Sequence, residues 1–272
     1  MNIVAIDIGN TKIAIGLFLD GNAKFTRSIS GSNREELTDC LTSAWQQIPI
    51  LESSKCRKAS LTGEKKRDGH VVVSSVKPEW TEVIREIIKT NLGEKIHIIG
   101  EDVPLPMPVW VDEPEKVGTD RVVSAAAAYA VVEDAVVVAD IGTAVTIDLV
   151  DQNGVFQGGV ICPGFEISAK TLNENTAQLP MVAVTRPEEP YGKNTADAIN
   201  CGLYYSIIGT LEEVIRRYAE KIGRWPQTII TGSGAEIIKE DCPFIDNYVP
   251  NIVLEGIVMA YQKYTEEKNN PR

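Results

Sequence analysis

The feature that most restricts the fold is a repeat. Near the N-terminus the chain reads Ile3-Val4-Ala5-Ile6-Asp7-Ile8-Gly9-Asn10-Thr11-Lys12-Ile13-Ala14-Ile15-Gly16-Leu17-Phe18. Near its midpoint it reads Val136-Val137-Val138-Ala139-Asp140-Ile141-Gly142-Thr143-Ala144-Val145-Thr146-Ile147-Asp148-Leu149-Val150. Each copy is an apolar strand, an Asp-x-Gly-polar turn and a second strand. Each is followed by a turn signal, Asp20-Gly21 or Asp151-Gln152-Asn153-Gly154, and by a third expected strand, over 24–28 or 155–160. Two like hairpin units, one opening each half, predict two domains of similar core. A length of 272 residues is comfortable for two. Strands joined by short turns pair antiparallel, so the order is not that of a doubly wound dinucleotide fold.

The segments between the copies supply helices and further strands. Residues 33–47 read as a helix capped by Asn33, 71–76 as a buried strand, and 78–92 as a helix with Pro78 in its first turn. The proline-rich run from Val103 to Val111 reads as extended. Residues 115–132 have an alanine-rich helical core, Ser124 to Tyr129, whose small side chains let two backbones approach closely. Residues 195–222 suit one long helix or a helix pair, 227–235 a strand, Gly-rich turn and helix start, and 251–264 an amphipathic helix before a polar tail.

Charge and rare residues narrow the chemistry. A formal net charge of −11 argues against nucleic acid as a partner, because binding phosphate backbone needs a basic stripe. An anionic nucleotide would have to be met locally, by a metal ion, backbone N–H groups and a few placed Lys or Arg side chains. No apolar run is long enough to span a membrane, and Met1 to Asp7 has no basic region of the kind that opens a signal peptide. The five cysteines (Cys40, Cys56, Cys162, Cys201 and Cys242) form no CxxC pair, which suits reduced thiols in a cytoplasm. There are two histidines. His70 follows the polar stretch 63–69 and His97 sits in an alternating strand; both read as structural, so a general base is expected to be a carboxylate.

An Asp-x-Gly turn between antiparallel strands has a specific use. Glycine lets a phosphate approach the backbone, the following Asn or Thr adds donors, and the strand-end aspartate can hold magnesium through water. One such turn is common in purely structural hairpins. Two of them with a third Gly-rich loop, Thr231-Gly232-Ser233-Gly234-Ala235, form a functional pattern. That set resembles the actin-like ATPase superfamily. Within it, Asp7-Ile8-Gly9-Asn10-Thr11, Ser74-Ser75-Val76, Gly118-Thr119-Asp120-Arg121, Asp140-Ile141-Gly142-Thr143-Ala144, Gly158 to Gly164 and Gly192-Lys193-Asn194-Thr195 occur in the order found in type III pantothenate kinases.

The resemblance implies an α/β fold of two similar ribonuclease H-like domains, 1–115 and 116–272, with an interdomain cleft. It implies a homodimeric, cytoplasmic kinase that uses ATP, Mg2+ and a monovalent cation, K+ or NH4+, to phosphorylate pantothenate. Asp7, Ile8, Gly9, Asn10, Thr11, Lys12, Ile13 and Ala14 would bind ATP phosphates, with Thr143 a further ATP contact. Gly118, Thr119, Asp120, Arg121 and Thr195 would bind pantothenate, with Asp120 the catalytic base and Arg121 a fork for the substrate carboxylate. Asp140 would be the monovalent-cation ligand.

Several of these residues also have plain structural readings. Taken alone, Asp120-Arg121 reads as a helix cap beside a solvated charge, and Thr195 as a cap. Lys12 reads equally as a solvated hairpin side chain, Asp148 as strand-end structure and Cys162 as a small buried residue. Where many family members have a substrate-contacting tyrosine, this chain has Val111, with Trp110 beside it. An actin-like phosphatase or a non-catalytic regulatory homologue is the alternative; the first is opposed by the Gly118–Arg121 segment, the second by the presence of Asp7, Asp120 and Asp140.

Overall fold

Both repeats fold into the same sheet. In this computed structural model, which describes residues 1–51 and 66–269, the first copy forms β1 (Ile3–Ile8), β2 (Lys12–Leu19) and β3 (Asn22–Ser30), paired antiparallel in sequence order. Helix α1 (Arg34–Gln46) then carries the chain over the sheet, as a parallel return requires. β4 (His70–Ser75) pairs parallel with β1, and β5 (Ile96–Ile98) parallel with β4. The order is β3-β2-β1-β4-β5. The second copy gives β6 (Val136–Ile141), β7 (Ala144–Val150) and β8 (Phe156–Pro163), again antiparallel, with β9 (Gln227–Thr231) and β10 (Asn247–Tyr248) added in parallel on the other side of β6. Its order, β8-β7-β6-β9-β10, is the same topology with the same strand directions. The chain is therefore α/β, with two ribonuclease H-like sheets.

The first strand of each sheet is buried on both faces, which is why β1 and β6 read as near-continuous apolar runs. Asn33 caps α1: its side chain accepts the Glu36 N–H at 3.2 Å and donates to the Glu36 carboxylate at 2.8 Å. The expected 78–92 helix is α-helical only over α2 (Pro78–Ile87); a π-helical turn, Ile88–Leu92, follows and ends at Gly93 with φ +68°. The alanine-rich helix, α3 (Thr119–Val132), starts after a 3₁₀ turn at Pro114–Lys116. Residues 195–222 form one helix rather than a pair, α5 (Thr195–Ile222), which follows α4 (Phe165–Glu174). The helix after the Gly-rich loop is a single turn, α6 (Ala235–Ile238), and α7 (Ile252–Asn269) runs further than its apolar pattern indicates. Among the described residues, no helix is long and apolar enough to cross a membrane.

By contact the chain forms two compact units. One comprises Met1–Pro106, Glu115–Val123 and the segment from Val253; the other comprises Met107–Pro114 and Ser124–Ile252. They interleave along the chain. The C-terminal helix belongs to the first unit because Leu254, Ile257, Val258 and Tyr261 bury against Ile3, Ala5, Phe18 and Val72 of its sheet. Gly256 permits the approach, since a Cβ there would fall 2.1 Å from the Val123 carbonyl oxygen. His70 begins β4, and its Nδ1 lies 3.1 Å from the Tyr261 hydroxyl; His97 packs on the same ring. Both histidines are thus structural, and burial holds both below the usual histidine pKa. Cys56 and residues 63–65 of the polar stretch lie outside the described residues.

Candidate active site

The two Asp-x-Gly turns are built alike but differ in length. In the first, the Gly9 N–H donates to the Lys12 carbonyl at 3.0 Å; in the second, the Gly142 N–H donates to the Ala144 carbonyl at 3.0 Å. The second hairpin is one residue shorter: β1 and β2 pair last at Ile8 and Ile13, β6 and β7 at Ile141 and Val145. Neither glycine has a left-handed φ; Gly9 provides clearance, whereas a Cβ on Gly142 would make only ordinary contacts at 3.5 Å. A Cβ on Gly9 would lie 3.2 Å from the Lys12 oxygen. Asn10, Thr11 and Lys12 are exposed around the first turn, and Asp7 is half-buried at the end of β1. In the parallel ladder Asp7 stands beside Ser74. Ile8 and Ile13 are buried, with Ala14 half-buried, so those members of the 7–14 segment shape the turn rather than face solvent.

Asp140, in the second unit, is enclosed by glycines. A Cβ on Gly232 would come 2.2 Å from Asp140 Oδ1 and 2.7 Å from the Ile141 carbonyl, and Gly232 has φ +90°, a region glycine occupies without penalty. The Gly234 N–H donates to the same Ile141 carbonyl at 2.8 Å. From another side the Gly164 N–H donates to the Thr143 carbonyl at 3.0 Å, and a Cβ on Gly164 would fall 2.2 Å from the Gly142 carbonyl. Three glycines from two loops therefore close on the Asp140–Thr143 turn, a cradle that a Cβ on any of them would fill. The fold brings the Gly-rich segments of 158–164 and 231–235 together there.

The Gly118-Thr119-Asp120-Arg121 segment opens α3. The Gly118 carbonyl accepts from the Arg121 and Val122 N–H groups at 3.2 and 3.4 Å. Asp120 Oδ1 accepts the Arg121 N–H at 2.8 Å and folds back over Gly118, where a Cβ would be 2.4 Å from that oxygen. Asp120 thus does bond the helix start, as a cap reading expects, and does so within a wider arrangement. Ser74 is fully buried, and its hydroxyl is 2.9 Å from that of Thr119. One strand residue thereby ties the position beside Asp7 to the turn carrying Asp120, all within the first unit. Burial raises the Asp120 pKa above the ordinary carboxylate value, against the opposing pull of the Arg121 N–H and guanidinium. Beside it lies a cavity of about 480 Å³ lined by Ser75, Val76, Arg85, Gly100, Gly118 and Thr119, among others.

Thr195 is exposed and is the first residue of α5; it is not the cap. That role belongs to Asn194, whose side chain accepts the Asp197 N–H at 2.9 Å and donates to the Asp197 carboxylate at 2.7 Å. Gly192 is required there, because a Cβ would lie 2.0 Å from the Ala198 nitrogen. Asp148 is buried in mid-β7 rather than at a strand end, and Gly159 leaves room for its carboxylate. Cys162 is half-buried on the partly exposed β8. Val111 is half-buried near Gly158, while Trp110 is 76% exposed.

Comparison with known proteins is consistent across the chain. In fold, a Baf family protein of Campylobacter jejuni aligns over 98% of this chain and 99% of its own, with a TM-score of 0.58 at 17% identity. Component A of (R)-2-hydroxyglutaryl-CoA dehydratase from Acidaminococcus fermentans aligns over 99% and 100%, with a TM-score of 0.52 at 11% identity. In sequence, the type III pantothenate kinase of Dehalococcoides mccartyi is 32% identical over 260 residues, covering 96% of this chain and 97% of the relative. That of Moorella thermoacetica is 32% identical over 263 residues, covering 97% and 100%. The family model for type III pantothenate kinases matches residues 3–217. With its motifs in order and its relatives matched end to end, the chain belongs to the type III pantothenate kinase family.

Proposed function

We propose that Asp120 is the general base in the reaction of this kinase family, ATP-dependent phosphorylation of pantothenate to 4'-phosphopantothenate at the entry to coenzyme A biosynthesis. The observation that carries the assignment is the placement of its carboxylate. It is partly buried, raised in pKa, bonded to its own helix start and tied through Thr119 and Ser74 to the strand position beside Asp7. A base works best when its pKa approaches the working pH, and burial moves Asp120 in that direction. The pantothenate alcohol gives its proton to Asp120 as its oxygen attacks the γ-phosphorus, and the bond from that phosphorus to the β,γ-bridging oxygen breaks to release ADP. Arg121 pairs with the pantothenate carboxylate, and Gly118, Thr119 and Thr195 complete its contacts; the cavity beside Gly118 and Thr119 supports a substrate seat there.

The segment from Asp7 to Ala14 binds ATP phosphates, with Asn10, Thr11 and Lys12 as donors, and Thr143 is a second nucleotide contact. Among the described residues no group of three or more His, Cys, Asp or Glu could hold a metal ion. Asp7, half-buried at the end of β1, would hold Mg2+ through water. When bound, Mg2+ neutralises charge on the phosphates. Asp140, whose carboxylate stands by backbone carbonyls in its glycine cradle, suits a monovalent cation, K+ or NH4+. A homodimer accords with the exposed Val131 on α3 and Tyr205 on α5, apolar surface that a second subunit would cover. Cys40, Cys162, Cys201 and Cys242, the cysteines among the described residues, carry free thiols rather than disulfides, in accord with a cytoplasmic location. The phosphatase and non-catalytic alternatives gain nothing from relatives that bear the kinase name. The test is ADP formation by the purified chain with ATP and Mg2+: it should depend on added pantothenate, and pantothenate-independent hydrolysis at the same rate would contradict the reading.

A further inference from the structure

We infer that Lys77 is a phosphate-binding residue, its ammonium stationed at the first Asp-x-Gly turn to meet the phosphate oxygens of the nucleotide. The need is set by the charge of the chain. With a formal net charge of −11, the overall field repels a nucleotide, and Lys12 is the sole cation in the 7–14 segment. Lys12 lies on β2 in register with Ser30. Lys77 comes to the same turn from 67 residues away. β1 and β4 end in register at Ile8 and Ser75, the Val76 N–H donates to the Ile8 carbonyl at 3.1 Å, and Lys77 follows directly beside the turn. From there Lys77 Nζ donates to the Asn10 carbonyl at 3.2 Å and lies 3.4 Å from the centroid of the Trp80 ring.

The ring is itself fixed. It packs on Gly31, where a Cβ would fall 1.9 Å from Trp80 Cζ3, and the Gly31 N–H points back to the Thr11 carbonyl at 3.5 Å. An ammonium has three donors, and Asn10 takes one. The aromatic face holds the charge in place, so the freedom a lysine normally loses on meeting a ligand is already restricted.

The position also breaks a local rule. Lys77 is the N-cap residue of α2, and its side chain makes no capping bond. A cation there opposes the helix dipole, and Ser, Thr, Asp or Asn would cap better. A residue that is locally unfavourable yet firmly held beside a functional turn points to a ligand of opposite charge.

The inference rests on the phosphate role of the first turn, and calorimetric titration of the full chain separates the two. Lys77→Met should bind ATP with Mg2+ about tenfold more weakly, the scale of one charge-assisted hydrogen bond. Its affinity for adenosine and its melting temperature should match the parent's, and Lys77→Arg should recover part of the ATP affinity. Unchanged ATP affinity in Lys77→Met, or an equal loss for ATP and adenosine, overturns the inference. Asp7→Asn and Thr11→Ala report on the turn. If both bind ATP like the parent, the turn reading fails and Lys77 falls with it; if they bind weakly while Lys77→Met does not, only the Lys77 assignment falls.

Discussion

Replacing Gly118 with alanine should leave a folded protein that has lost most of its turnover. The new Cβ would lie 2.4 Å from Asp120 Oδ1, 3.6 Å from its Cγ and 3.4 Å from Val76 Cγ1. A carbon and an oxygen settle no closer than roughly 3.3 Å, so the carboxylate must retreat by about 0.9 Å. It is the end of a side chain, so the retreat is cheap in stability, but it strains the 2.8 Å bond from the Arg121 N–H that now fixes the carboxylate. A displacement near 1 Å at a reacting group can cost on the order of 10²-fold in rate, so we expect kcat to fall by roughly 10- to 100-fold. The Gly118 carbonyl also accepts from the N–H groups of the first helical turn, and alanine is the poorer cap, at a cost of about 1 kcal/mol or less. For units of this size that lowers Tm by roughly 2–4 °C. The assay is a coupled ADP readout at saturating ATP and pantothenate beside a thermal melt. A well-folded Gly118→Ala protein with kcat within about twofold of the parent would refute the reasoning, because geometry at Asp120 would then not limit the rate.

Two further outcomes follow from electrostatics, one at Asp120 and one at Asp140. Asp120 must be ionised to take a proton, and burial raises its pKa, so kcat should fall as pH drops through a value above the ordinary carboxylate pKa of about 3.9; a rate flat down to that ordinary value would contradict it. Because the folded-state pKa is raised, stability from this group is present below the unfolded value and lost as pH rises through the folded one. Replacing Na+ with K+ or NH4+ at constant ionic strength should raise turnover, and Asp140→Asn should remove the difference; equal rates in all three salts would remove the cation from Asp140.

The parts of the fold written in local pattern were legible from the sequence. The repeat at 3–18 and 136–150 shows in the chain as alternation around two Asp-x-Gly turns, and it became two sheets of one topology because β-branched runs flanking short turns have few other ways to pair. Asn33 was readable as a cap because its partner lies three residues on. What escaped was set by distance. Ser74 meets Thr119 across 45 residues and Lys77 meets Asn10 across 67, so neither leaves a periodic trace. The placement of α7 on the first sheet is likewise a choice between two apolar surfaces, which amphipathicity alone does not make. Asn194 and Thr195 show the limit of local reading: both can cap, and Asn194 prevails because Asp197 completes a reciprocal pair with it.

The account stands most directly on Asp120, and the deciding measurement is the single-turnover rate of Asp120→Asn with ATP, Mg2+ and pantothenate all bound. The amide keeps the size of the carboxylate and can still accept the Arg121 N–H, but it cannot take the alcohol proton. Asparagine also caps helices well, so the fold should persist; at neutral pH the variant should be no less stable than the parent, since it sheds a charge that burial disfavours. General-base catalysis contributes roughly 10²- to 10⁴-fold, and a loss of that size with near-normal affinity for both substrates is the predicted result. A folded Asp120→Asn protein that transfers phosphate at close to the parent rate would contradict the account at its centre.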